Sequence, residues 1–208
     1  MTDLPALIAA FTTLFIIIDP MGLAPIFLAL TSGMTKAQRR AIAIRACLIG
    51  GALMLAFLFL GEALLGFIGI SMPAFRIAGG VLLFLTALEM LFQKRQARRE
   101  DNATELETHD DPSVFPLAMP LIVGPGAITT IILLAGQANG AADLAAVAAV
   151  MFTVLASVFV AFLLAPYLER LLGKTAINIL TRLLGMLLAA LAVQFILDGV
   201  SQSFGIGA

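Results

Sequence analysis

The string DPMGLAP, Asp19 to Pro25, falls halfway along an apolar segment running from about residue 6 to about residue 30. A second apolar segment, containing PLIVGPGAITTIILLAG, is broken near its own midpoint by Gly124, Pro125 and Gly126. An acid and two prolines buried among Ile and Leu have little use in a soluble helix, since each proline removes a backbone donor and strands a carbonyl. Membrane transporters tolerate such breaks where the irregular backbone faces protein or a cavity.

Composition points the same way. Of 208 residues 61% are hydrophobic and only 12% charged, and the mean hydropathy is +1.07, too apolar for a surface that faces water. At about 20 residues per span, the charged interruptions leave six apolar segments: about 6–30, 41–61, 72–92, 114–136, 143–166 and 177–198. The expected fold is an all-α polytopic membrane protein with spans 1 and 4 broken at mid-membrane. The N-terminal MTDLP lacks the basic start of a cleaved signal, so the first apolar run reads as a retained span. A net charge of -1 argues against a nucleic-acid partner, and the single Cys47 allows no internal disulfide.

Basic residues set the expected orientation. Lys36, Arg39, Arg40 and Arg45 cluster around the first connection, Lys94, Arg95, Arg98 and Arg99 follow span 3, and Arg170, Lys174 and Arg182 flank the last connection. Arg76 stands alone on the other side. These connections are therefore expected on the cytoplasmic side of the membrane, with both termini outside.

A hydrophilic linker, residues 93–113, separates two similar three-span halves, 1–92 and 114–208. Pro20 matches Pro125, and FRIAGGVLLFL matches TRLLGMLLAAL, with Arg76 over Arg182 and Gly79 over Gly185. Because three is odd, the halves must enter the membrane from opposite sides, as the inverted repeats of secondary transporters do.

The breaks suggest a chemistry. Asp19 followed by Pro20 is a helix-start signal, with Asp as N-cap and Pro where its missing N–H costs nothing. Gly124 takes the capping place in the second half, Pro125 keeps the first helical position, and Gly126 and Ala127 leave backbone donors open to an anion. Pro25 would strand the Met21 carbonyl, adding an acceptor beside Gly22. A site with an acid on one side and free N–H groups on the other suits a zwitterion. A small amino acid is expected to bind there, its ammonium toward Asp19 and its carboxylate toward Gly124 to Ala127, with Thr129 and Thr130 lining the same cavity. Gln194 either joins that lining or bonds between helices. The plainer readings are that Asp19 is a satisfied cap and that the glycines are a tight helix contact. Arg76 and Arg182 read as structural charges at the headgroups. Glu89 is expected to pair with Lys94, Glu62 and Asp198 to lie at the interface, and His109 to ligate nothing.

At these residues a family emerges. FIIIDPMGLAPIFLALT, SMPAFRIAGG, AMPLIVGPGAITTII and TAINILTRLLGMLLAALAVQFILDG together resemble the MarC family of bacterial inner-membrane proteins, which includes the SnatA-type transporters, within the wider LysE-like exporter group. The resemblance implies six spans and small neutral amino acids such as alanine, glycine and serine, with a coupling proton in place of any cofactor. Two positions depart from the family pattern: Leu23, where Asn often stands, and Gln194, where an acid often stands.

Other classes fit less well. Intramembrane hydrolysis needs a serine–histidine pair, a metal cluster or two convergent acids, whereas the one His lies in the linker and Asp19 and Asp198 are expected at different depths. A channel would spread polar groups along a pore rather than collect them at one depth. A structural or chaperone role, or one tied to drug resistance without amino acid transport, is the remaining alternative.

Overall fold

A computed structural model describes residues 4–92 and 111–205. Most of the hydrophilic linker, with His109 and the basic cluster after span 3, lies outside the described residues. The described chain is helical: α1 (Leu4–Ile18), α2 (Pro20–Leu30), α3 (Lys36–Ile68), α4 (Met72–Leu91), α5 (Ser113–Ile122), α6 (Pro125–Gly136), α7 (Ala141–Gly173) and α8 (Thr175–Phe204). Five spans are long and apolar enough to cross a bilayer, and α5 with α6, bent by 60°, forms a sixth if counted as one.

Local chemistry sets the boundaries. Thr35 and Gln38 form a reciprocal capping box at the start of α3. Its end is a Schellman turn at Gly69, φ 85°, where the Ile70 N–H donates to the Leu65 carbonyl and the Gly69 N–H to that of Gly66. Ser71 caps α4 by accepting from the Ala74 N–H. The chain breaks between α7 and α8 at Gly173, φ 67° and ψ 165°, a conformation glycine alone adopts readily. At 33 residues each, α3 and α7 are longer than the expected apolar runs 41–61 and 143–166. Hydropathy marks only the stretch inside the bilayer, and at ~1.5 Å per residue these helices reach well past a ~30 Å core.

The fourth span departs further from expectation. The sequence suggests a plain half-helix from about residue 114, but α5 has wide turns, with Phe115 (φ -128°, ψ 124°) and Met119 (φ -131°, ψ 126°) extended. Each precedes a proline, Pro116 and Pro120, whose ring drives its predecessor out of the helical region.

Large apolar side chains at Phe59, Phe67, Leu171 and Leu187 stand on the outside, where only lipid suits them. The chain is an integral, multi-pass membrane protein. Inside, α2 and α6 are enclosed by the longer helices. Nine of the twelve α6 residues are buried, and the Phe27 ring of α2 stacks on Phe162 of α7 with centroids 4.4 Å apart. Helices α4 and α8 pack antiparallel through glycines in a reciprocal contact. A Cβ on Gly80 would stand 2.8 Å from the Ala192 carbonyl oxygen and 3.1 Å from the Ile196 nitrogen; one on Gly185 would stand 3.3 Å from the Ala87 oxygen and 3.4 Å from the Leu91 nitrogen. Gly80 and Gly185 thus both stand on the α4–α8 contact, whereas Gly79 faces Thr129 of α6. Arg76 and Thr181 are both buried, whereas Arg182 is exposed.

Candidate functional site

Asp19 is the single residue between α1 and α2, and it serves both. For α1 it is the left-handed terminal residue, φ 58° and ψ 66°, whose N–H donates to the Phe15 carbonyl at 2.9 Å. For α2 it is the N-cap, its Oδ1 accepting from the Gly22 N–H at 3.0 Å. It is the only non-glycine residue with positive φ among the described residues, a conformation Asp tolerates better than most side chains. Strain of this kind, held by surrounding structure, concentrates at working sites. The two helices nevertheless continue as one 27-residue span, so the first break is a hinge of one residue.

The neighbours of Asp19 follow from this geometry. Pro20 takes the first helical position, and both Asp19 and Gly22 are buried. Gly22 has no room for a side chain, because a Cβ there would meet Oδ2 of Asp19 at 2.1 Å. Pro25, inside α2, has no N–H to offer the Met21 carbonyl.

The second break is built differently. Gly124 is extended, φ -84° and ψ 171°, and no side chain caps α6. The Ile128 N–H donates to the Gly124 carbonyl at 3.1 Å, and Pro125 has no N–H, which leaves the backbone donors of Gly126 and Ala127 at the open end of the helix. Gly126 and Ala127 are buried, Gly124 is half-buried and Pro125 is exposed. A helix start with uncapped donors and the positive end of the helix dipole attracts an anion.

The two breaks meet through packing. A Cβ on Gly126 would lie 3.1 Å from Ile17, two residues before Asp19, and 3.0 Å from Leu83 of α4. Thr129 and Thr130 then diverge. The Thr129 methyl fills the notch at Gly79, 2.1 Å from where a Cβ would stand, so this side chain is committed to helix contact. Thr130 is fully buried and its Oγ1 makes no hydrogen bond among the described residues.

Gln194 is not brought to this site. It lies on the exposed face of α8, its Nε2 donating to Asp198 Oδ1 at 2.7 Å within the same helix, away from the centre and from the other helices of its own chain. Arg76 is buried between the Met72–Gly136 and Gly79–Thr129 contacts, alongside the last turn of α6, whose carbonyl end favours a cation. At the far end Arg39 donates from Nε to the Thr31 carbonyl closing α2, and Arg45 pairs with Asp111. Hydrogen bonding from Ser113, whose N–H donates to Asp111 Oδ1 at 3.0 Å, with a smaller contribution from Arg45, holds the Asp111 carboxyl below its ordinary value of 3.8. Sequence patterns have no means of finding the left-handed backbone at Asp19 or the packing of Ile17 and Leu83 against Gly126, since neither of those two residues is polar.

Comparison with known proteins adds a family. The model of the MarC family of integral membrane proteins matches residues 4–204. A UPF0056 membrane protein of Aquifex aeolicus is 37% identical over 94% of this chain and 92% of its own length. In Escherichia coli the UPF0056 membrane protein YhcE is 35% identical over 97% of this chain and 95% of its own, and the UPF0056 inner membrane protein YhgN is 35% identical over 93% and 95%. No solved structure matches.

Proposed function

The chain belongs to the MarC family of integral membrane proteins, and from that premise we propose that it is a secondary transporter of small neutral amino acids of the alanine, glycine and serine class. The observation that carries this reading is the pairing of a buried acid with uncapped backbone donors: Asp19 at the start of α2, and Gly126 and Ala127 at the start of α6, linked by the contact of Gly126 with Ile17. In this reading the substrate ammonium is held at Asp19 and its carboxylate at the α6 start, and Thr130 supplies a hydroxyl that has no other partner among the described residues. Asp19 also carries the coupling proton, since an intramembrane acid is functional by default. The protein catalyses no reaction and needs no cofactor.

The matched lengths of α3 and α7, each 33 residues and 105 apart in sequence, support two repeats of opposite topology. Six spans with both termini outside follow, in the inner membrane as the name of YhgN says of that relative. Transport then consists of the two repeats rocking about the fixed site.

Thermal unfolding of the purified protein in detergent, against a panel of amino acids at two pH values, tests the reading. A ligand bound only by the folded state stabilises it by about 2.7 kcal/mol at a hundred times its Kd. Glycine, alanine and serine are expected to stabilise the wild type and not Asp19→Asn. If saturating concentrations of all three leave unfolding unchanged, the amino acid site is wrong and a structural or drug-resistance role takes its place.

A further inference from the structure

Among the helical spans, α8 is the least covered: 22% of its most apolar stretch is buried, against 33% to 67% for the four other single spans long enough to cross. Its outward face is not uniformly apolar. Gln194 is exposed there, and beyond its bond to Asp198 neither its second amide N–H nor its Oε1 has a partner among the described residues. The packing on α4 gives its depth. Gly199 sits against Pro73 and Ile77 in the first turns of α4, and Ala192 and Ile196 sit against Gly80. Gln194 is therefore level with the third turn of α4, roughly 10 Å inside its outer end at ~1.5 Å per residue. Lipid tails offer no hydrogen bond at that depth, and an amide facing them alone is costly.

The same face offers a seam that a second helix can fit. Leu183, Leu187, Ala190, Gln194, Leu197 and Ser201 follow one another at alternating intervals of four and three, the repeat of a left-handed helix pair. The first five are exposed and Ser201 is half-buried. A single polar residue in an apolar seam of this kind fixes register and partner number. With a two-fold axis along the membrane normal, Gln194 faces its own counterpart at equal depth. A primary amide donates and accepts, so it complements itself, whereas a lone cation or carboxylate would repel its copy.

We propose that the chain forms a parallel homodimer through α8, with a Gln194 amide pair at the centre of the seam and the bonds to Asp198 continuing it outward. The second copy supplies the hydrogen bonds that lipid lacks. This interface is independent of the transport reading.

Single cysteines introduced at Leu187, Ala190 and Leu197, and for comparison at Phe59 and Phe84 on other exposed faces, test it by oxidative cross-linking in native membranes after Cys47→Ala. Cross-linked dimers from the three α8 positions and none from Phe59 or Phe84 are expected. Absence of dimer from all three, or equal cross-linking everywhere, overturns the proposal. Gln194→Leu, which makes the helix more apolar and leaves its own folding intact, is expected to weaken dimerisation by energy transfer in vesicles about 3- to 20-fold. Wild-type dimerisation by Gln194→Leu overturns the amide pair as its centre.

Discussion

The Asp19 carboxylate folds back over Gly22: Oδ1 accepts the Gly22 N–H at 3.0 Å, and a Cβ on Gly22 would stand 2.1 Å from Oδ2. Cap and glycine are thus one device, in which the missing side chain leaves the space that the carboxylate occupies. Gly22→Ala must push the carboxylate out of that space. It is expected to destabilise the protein by about 1–3 kcal/mol and to abolish ligand-dependent stabilisation. Gly66 is the control, a helical glycine where an added methyl would meet nothing within 4 Å. Gly66→Ala is expected to be neutral or stabilising by up to about 1 kcal/mol, because alanine is the better helix former. Chemical denaturation in detergent reads both, and equal effects would show that the Asp19 carboxylate does not depend on Gly22.

Substitutions at Asp19 separate charge from backbone. Asn tolerates the left-handed conformation and caps a helix as well as Asp does, so Asp19→Asn should unfold within about 1 kcal/mol of the wild type. Asp19→Ala loses the cap, worth about 0.5–2 kcal/mol, and places a Cβ-bearing residue without a local hydrogen bond at φ 58°. A larger loss of stability is expected for Ala than for Asn, while both lose substrate-dependent stabilisation. If Asn unfolds as readily as Ala, the charge itself holds the hinge together.

Both breaks are legible in the amino-acid string. Asp19 followed by Pro20 announces the first and Gly124 to Gly126 the second, since proline and glycine leave strong marks in an apolar run. The character of each break is not legible there. A one-residue hinge at Asp19 depends on a left-handed backbone, which the letter D permits but does not require, and the wide turns of α5 depend on Pro116 and Pro120 acting on their neighbours. Two glycines stand side by side at Gly79 and Gly80, and the string does not say which neighbour each one meets. Only their partners tell them apart: Thr129 for Gly79, Ala192 and Ile196 for Gly80. Gln194 is misplaced for a related reason, as a polar residue in an apolar span carries no information about which face it takes.

Asp111 ties the start of α5 to α3 through Ser113 and Arg45. Its carboxyl is held below 3.8 in the folded protein, so the stabilisation is fully present above the ordinary carboxylate range and is lost as pH falls through the lowered value. Thermal stability of the wild type should therefore exceed that of Asp111→Asn at pH 6, with the gap closing below about pH 4. Both side chains are well exposed, so the gap is at most about 1 kcal/mol. Because the Ser113 bonds are the larger cause, Arg45→Gln is expected to cost less than Asp111→Asn, and the reverse order would place the weight on the ion pair.

The reciprocal contact between α4 and α8 makes a prediction about coupling. A methyl at Gly80 meets the Ala192 carbonyl at 2.8 Å, and one at Gly185 meets the Met90 Cβ at 2.8 Å and the Ala87 carbonyl at 3.3 Å, so neither alanine is accommodated by turning a side chain tip alone. Each must hold the two helices apart, at a cost of about 1–3 kcal/mol. At Gly79 the obstacle is the methyl of Thr129, a buried β-branched side chain stiff at χ1, so Gly79→Ala is expected to cost about as much. Once one glycine of the reciprocal pair has forced the helices apart, the second methyl enters space already opened. The double variant Gly80→Ala with Gly185→Ala should therefore lose less stability than the two single variants together, by roughly 0.5–3 kcal/mol, the range for coupled sites. A double-mutant cycle in detergent measures this directly. Strict additivity would mean that the two ends of the contact yield independently, and that α4 and α8 do not move as a rigid pair.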